Sequence, residues 1–183
     1  MNSQNINLTL IRHGEVQKEY LSCYNGHNDI SLSADGIAQA KELAKRLACE
    51  KFDAIYSSDL KRAKQTLEQL PHAKDAIFDA RLREKSWGRD EGLSFDEICK
   101  KENIHYENFE QFINALDGES VDEFISRVKE FFYTHMPKQN KKNILIITHS
   151  GVIKTLLSLH KNISLEDAFS ISIPYLSITR IKI

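Results

Sequence analysis

Cysteine is scarce. Cys23, Cys49 and Cys99 are the only three in 183 residues, and they are widely scattered. That number and spacing exclude a disulfide framework or a zinc ribbon and point to a reducing compartment. Net charge is also low at −1, from 25 basic and 26 acidic residues. Nucleic-acid binding through overall basicity is therefore excluded, although a local basic pocket is not. No apolar run approaches the roughly 20 residues needed to cross a bilayer. The segment from Met1 to Asn7 is polar and lacks the basic and apolar regions of a secretory signal. A cytoplasmic protein with no membrane partner is expected. The chain has no HExxH, no EF-hand loop, no His/Cys cluster and no GxxxxGK[ST], so common metal and nucleotide signatures are missing. With no low-complexity tract or linker, residues 1–183 are expected to form one domain, long enough to bury a substantial core.

What is present is organised around two strand ends. Leu8-Thr9-Leu10-Ile11 is a short apolar run that stops on Arg12-His13-Gly14-Glu15. In an α/β protein, a buried strand ending this way delivers its polar residues to the carboxyl edge of the sheet, where ligands bind. Gly14 lets backbone amides approach a bound anion, and Arg12 offers a planar fork of donors suited to phosphate oxygens. The pattern returns at Asn143-Ile144-Leu145-Ile146-Ile147, which ends in Thr148-His149-Ser150-Gly151 and leads into an apolar helix from Val152 to Leu157. A satisfied structural histidine accounts for either one alone. It accounts less well for the pair.

Between these ends the pattern alternates strand and helix. A polar loop runs from Gln17 to Ile30. Ile37, Ala40, Leu43, Ala44 and Leu47 then recur at helical spacing, predicting a helix over Ala34 to Glu50 capped by Ser33. Phe52 to Tyr56 reads as a second strand, followed after Ser57-Ser58-Asp59 by a helix with Leu60, Ala63, Leu67 and Leu70 on its core face, stopped by Pro71. Arg62 falls in the first turn of that helix, where exposed amides and the positive helix end favour an anion. Ala76 to Phe78 is a third short strand. It leads to Arg83-Glu84-Lys85, where Glu84 between cations reads most simply as a surface ion pair. One or two helices are expected over Phe95 to Lys101 and Tyr106 to Leu116, with residues 85–116 forming a partial lid over the sheet edge. An apolar stripe from Val121 to Phe132 is core. Phe169 to Ile173 and Ser177 to Ile183 alternate like strands, separated by Pro174, at least one of them antiparallel. The expected fold is a three-layer α/β sandwich, a mostly parallel sheet with helices on both faces.

Arg12, His13, Arg62, Glu84, His149 and the amides near Gly14 and Gly151 are the groups that would converge. Two arginines and two imidazoles suit a tetrahedral dianion. A neutral imidazole is a competent nucleophile toward phosphorus, and a carboxylic acid beside the leaving oxygen can protonate it. Arg12-His13-Gly14-Glu15 resembles the signature of the histidine phosphatase superfamily, which includes the cofactor-dependent phosphoglycerate mutases. Ser57-Ser58-Asp59-Leu60-Lys61-Arg62-Ala63-Lys64-Gln65-Thr66 is similar to that family's second motif. Leu82-Arg83-Glu84 with Gly88 and Glu91-Gly92 resembles its third, and Gly118-Glu119-Ser120 with Phe124 and Arg127 resembles a further one. Thr148-His149-Ser150-Gly151 matches the second histidine motif. The resemblance runs in register almost to the end of the chain. It implies that His13 is the nucleophile that becomes phosphohistidine, with Arg12, Arg62 and His149 holding the phosphoryl group. Glu84 is implied to be the general acid and later the base that activates water. Asn25 and Gly26 fall where the family's substrate loop nears the phosphate, beside Gly14, Ser150 and Gly151. No cofactor or metal is implied.

Two departures stand out. Many members have asparagine six residues after the nucleophilic histidine; here that residue is Glu19, so either the loop is arranged differently or Asn25 substitutes. Ser150 stands where glycine is frequent. Trp87 is either a pocket wall or simple packing. The stretch from Glu84 to Glu119 is short, and Glu84-Lys85-Ser86-Trp87-Gly88 replaces the "ERHYG" of the mutases. The layout is most similar to the α-ribazole-phosphate phosphatases and the broad bacterial phosphatases. The expected activity is therefore hydrolysis of a small-molecule phosphate ester. A phosphoglycerate mutase, a phosphoprotein phosphatase and, last, a non-catalytic phosphate-binding module are the alternatives. The oligomeric state is left open.

Overall fold

The computed structural model describes residues 5–71, 73–102, 107 and 109–183. Its strands are β1 (Asn7–Arg12), β2 (Ala54–Ser57), β3 (Ala76–Phe78), β4 (Asn143–Thr148) and β5 (Ile178–Lys182). They form one sheet in the order β3-β2-β4-β1-β5. β1, β2 and β3 run parallel to their neighbours through β4, and β5 closes the edge antiparallel to β1. The mostly parallel sheet and its antiparallel last strand are thus as the sequence predicts.

Alternation along the central strands sorts two cores. Leu8 and Leu10 of β1 with Ile144 and Ile146 of β4 pack on one face against Phe124, Val128, Val152 and Leu156. Ile11, Leu145 and Ile147 point the other way, onto Ala40, Leu43, Leu47, Ala63 and Leu67. The first face is covered by α5 (Val121–Lys129) and α6 (Ser150–Lys161), and the second by α1 (Ala34–Leu47) and α2 (Lys61–Glu68). This is the expected sandwich. Ser33 caps α1 by accepting from the Gly36 amide, and Ser120 with Glu123 forms a complete capping box on α5.

A smaller cluster of Trp87, Ile98, Phe112, Ile113 and Leu116 lies apart from both cores. It joins two further helices, α3 (Phe95–Glu102) and α4 (Phe109–Ala115). Tyr106, where the second was expected to begin, lies outside the described residues. One expected element is corrected. Phe169 to Ile173 is not a strand, because Leu165–Ser170 is a short helix. Ser164 caps it by accepting from the Asp167 amide, and Glu166 and Asp167 favour its first turn. Leu165, Ala168 and Phe169 also fit helical spacing, and over so few residues the cap decides against the alternation.

Candidate active site

β1 and β4 are adjacent, parallel and in register, with Arg12 opposite Thr148. Their histidines must therefore leave the sheet together at its carboxyl edge. The His13 amide donates to Thr148 O at 2.9 Å, and the imidazole centroids lie 5.0 Å apart.

The two rings are held differently. His13 is 6% exposed and its Nδ1 lies 2.8 Å from Gly14 O. A carbonyl only accepts, so Nδ1 carries the proton and Nε2 keeps its lone pair. Burial, then the charges of Arg62 and Arg12, push the His13 pKa well below its usual value, so the ring is neutral. His149 is fully buried and its Nε2 lies 2.8 Å from Ser58 Oγ. That oxygen also accepts weakly from the Leu60 amide at 3.4 Å. The His149 Nδ1 is buried without a partner. Burial, then Arg62 and His13, keep this ring neutral too.

Arg62, in the first turn of α2, is fully buried. It donates through Nη1 to Asn28 O at 2.9 Å and through Nη2 to Gly26 O at 2.6 Å and Asn25 O at 3.2 Å. Desolvation lowers its pKa to about 10, offset by Glu84 and Glu91, so it stays charged at neutral pH. Arg12 donates through Nη1 to Ile173 O at 2.7 Å and lies 3.9 Å over the Tyr175 ring. Burial lowers its pKa, with Tyr175 and Glu84 opposing. The Nε groups of both arginines are buried without partners, like Nδ1 of His149. A buried unpaired donor costs about 1–3 kcal/mol, so the two arginine Nε–H groups left unpaired beside a neutral imidazole indicate an anion site.

Glu84 faces this cluster from a loop. Its Oε2 accepts from the Gly151 amide at 3.0 Å and from Ser150 Oγ at 3.4 Å, and Oε1 accepts from the Lys85 amide at 3.1 Å. A Cβ on Gly151 would sit 2.0 Å from Glu84 Oε1, so the glycine is needed for the carboxylate to reach this place. The Gly151 amide is therefore committed to Glu84. The Gly14 amide is likewise committed, to Thr66 Oγ1 at 2.9 Å. Neither faces an anion directly, contrary to expectation.

The loop expected to approach substrate also differs in detail. The Asn25 amide donates to Tyr20 O and Cys23 O at 2.6 and 3.2 Å, bracing the loop internally, although the residue lines the cavity. Gly26 meets Arg62 through its carbonyl. Glu19 is exposed on the short turn Lys18–Tyr20 and does not line the cavity. Of the two alternatives for this departure, a different loop arrangement holds. Sequence reasoning missed Ser58 and Thr66 as partners, although both stand inside the second motif. It also missed Tyr175 and Lys154, which no pattern announces. A cavity of about 530 Å³ opens over His13 and Glu84, walled by Tyr24, Trp87, Ile113, Phe169 and Tyr175. Among the described residues, no group of three or more His, Cys, Asp or Glu side chains is placed to hold a metal ion. Nor is any helix among them long and apolar enough to cross a membrane.

Residues 8–183 match the profile of the histidine phosphatase superfamily, branch 1. The chain belongs to that superfamily. This histidine phosphatase is 31% identical over 160 residues to the adenosylcobalamin/α-ribazole phosphatase of Escherichia coli K12, covering 82% of this chain and 77% of that protein. It is 34% identical over 158 residues to phosphoglycerate mutase-like protein 4 of Arabidopsis thaliana, covering 81% and 68%. Among solved structures, the α-ribazole phosphatase of Shigella flexneri superposes with a TM-score of 0.83 at 26% identity, covering 96% of this chain and 89% of that one. Family and relatives together identify a phosphatase enzyme.

Proposed function

We propose that this chain is a metal-independent phosphomonoesterase that hydrolyses a small phosphorylated metabolite through a phosphohistidine intermediate. One observation carries the reading: a neutral imidazole with a free Nε2 beside two buried, unpartnered arginine N–H donors, with a carboxyl group across the cavity. In this scheme Arg12, Arg62 and His149 grip the phosphoryl oxygens. Nε2 of His13 attacks phosphorus as the bond to the leaving oxygen breaks. The departing oxygen keeps that electron pair and takes a proton from Glu84. Water then attacks the phosphohistidine, giving its proton to the Glu84 carboxylate and returning the imidazole as leaving group. The arginines supply the positive charge that a metal would otherwise supply.

The cavity supports a substrate larger than phosphoglycerate. Its volume is that of a site for a drug-sized molecule, and its aromatic wall suits a leaving group with apolar or ring character, in line with an α-ribazole-phosphatase-like activity. Trp87 and Ile113 reach the cavity from within residues 85–116, which supports the partial lid. Ser150 lines the cavity and helps hold Glu84. Gly14, Gly26, Asn25 and Gly151 act on substrate through the groups they brace. Residues 1–183 make one catalytic domain, and the three free cysteines accord with a cytoplasmic location.

The test is hydrolysis of p-nitrophenyl phosphate in EDTA by wild type and His13→Ala, with mutase activity on 3-phosphoglycerate assayed in parallel. Metal-free hydrolysis that vanishes in the variant is expected. Mutase turnover exceeding hydrolysis would sink the reading, as would loss of hydrolysis in EDTA with recovery on adding a divalent metal.

A further inference from the structure

Glu84 lies on no strand or helix. Its loop follows the short turn Ala80–Leu82 and reaches Gly88, whose φ of +51° only glycine adopts easily. Something else must fix the acid, because about 1 Å of misplacement can cost some 10²-fold in rate. The Glu84 carboxylate accepts hydrogen bonds from Ser150 Oγ and from the amides of Gly151 and Lys85.

Behind the loop lies Arg127 of α5, with its side chain 17% exposed and stacked 4.7 Å over Phe124. All five of its N–H donors are engaged. Nη1 donates to Arg81 O and Arg83 O at 2.7 and 2.8 Å, and Nη2 to Glu84 O at 2.8 Å. The remaining Nη2 proton and Nε go to the two carboxylate oxygens of Glu119, at 2.8 and 2.5 Å. Glu119 in turn stitches the loop on the other side of the acid, its amide donating to Ser86 O at 3.2 Å and its carboxylate accepting from the Ser86 amide at 3.4 Å. None of these donors faces the cavity, and neither residue lines it. A second hold comes from His27, whose Nε2 donates to the same Glu84 carbonyl at 3.0 Å.

We propose that Arg127, with Glu119, is the positioning residue of the general acid: it fixes the backbone of residues 81–86 so that the Glu84 carboxyl meets the leaving oxygen. This rests on the role given to Glu84 above. Lysine cannot take its place, because a point charge with three donors does not reproduce a planar fork that spans three carbonyls and a carboxylate.

The readout is kcat/KM for p-nitrophenyl phosphate, whose leaving group needs little protonation, against that for an alkyl phosphate, which needs much. kcat/KM ends at phosphoryl transfer and so excludes the later water step. Arg127→Lys is expected to lower the alkyl value about 10²-fold, with less than about a threefold change on p-nitrophenyl phosphate and in competitive inhibition by inorganic phosphate. In a Glu84→Gln background it should then cost no more than about twofold, since the group it positions is gone. Equal loss on both esters, or full additivity with Glu84→Gln, would show a structural role and overturn the proposal. If Glu84→Gln itself proves indifferent to the leaving group, the assignment of the acid has failed instead, and the positioning role falls with it. Glu119→Gln, which keeps the shape and one acceptor oxygen, carries the same test should Arg127→Lys not fold.

Discussion

The proposed phosphate half and the proposed acid half of this site are built on different principles. Arg12, His13 and His149 come off the ends of two paired strands, and Arg62 comes from the helix that follows a third. Their places follow from sheet register, which buried residues on both faces hold to one alignment. Glu84 has no such frame. Its loop is held by side-chain bonds, from Arg127 and His27 behind and from Gly151 in front. A sheet positions through many small, redundant contacts, whereas a loop depends on a few strong ones. Damage to the first half should remove phosphoryl chemistry altogether, and damage to the second should show through the leaving group.

The largest expected effect is on the phosphate half. His13→Ala should lower kcat/KM by about 10⁴-fold or more on p-nitrophenyl and alkyl phosphates alike, because the proposed attacking nitrogen is gone. Steady-state kinetics on both esters checks this. A loss confined to one ester would break the comparison.

Glu84→Gln should come next, lowering kcat/KM by about 10²- to 10³-fold for an alkyl phosphate and by under about tenfold for p-nitrophenyl phosphate. A plot of log kcat/KM against leaving-group pKa should steepen. An unchanged slope would remove Glu84 as the acid. Gly151→Ala approaches the same point from the other side, since its new Cβ would lie 2.0 Å from Glu84 Oε1 and must push the carboxylate away. A loss of roughly tenfold or more on the alkyl ester is expected, again smaller on the activated one. Equal losses would mean instead that the start of α6 had shifted and carried His149 with it.

The same contrast explains what the sequence reveals and what it conceals. The strand ends were legible because two apolar runs stop alike, on Arg12-His13-Gly14 and on Thr148-His149, and a structural histidine accounts for such a pair less well than for either alone. Their convergence then follows from parallel pairing. Glu84 between two cations is indistinguishable from a surface ion pair by local pattern, and only the motif resemblance raised it. The commitments of the Gly14 and Gly151 amides were invisible, since a glycine next to a functional residue looks the same whether its N–H faces a ligand or a neighbour. Tyr175 escaped notice because it reaches Arg12 and His13 from a turn after Pro174, where nothing repeats. Phe169 was misread because so short an apolar stretch fits two periods, and the deciding cap, Ser164 with Asp167, lay outside the window.

The last effect concerns stability rather than rate and belongs mainly to the phosphate half. His13 and His149 are buried and held neutral, with pKa values well below the unfolded value of about 6.5. Below pH 6.5 the unfolded chain binds protons that the folded chain refuses. Stability is therefore complete above that pH and is lost as pH falls toward the folded-state values, by up to about 1.4 kcal/mol per pH unit for each ring. His27, half-buried and also lowered, first by burial and then by Arg127 and Arg83, adds a smaller contribution from the acid half. Asp59 and Asp79 titrate below their ordinary range and affect only more acid conditions. Melting temperature should thus fall between pH 7 and 5. His13→Asn and His149→Asn should each flatten that fall more than His27→Asn does. Thermal melts of the four proteins across this range give the answer. A profile that stays flat would show that burial holds none of these rings neutral, and one that only His27→Asn flattens would place the pH-sensitive burial in the acid half instead.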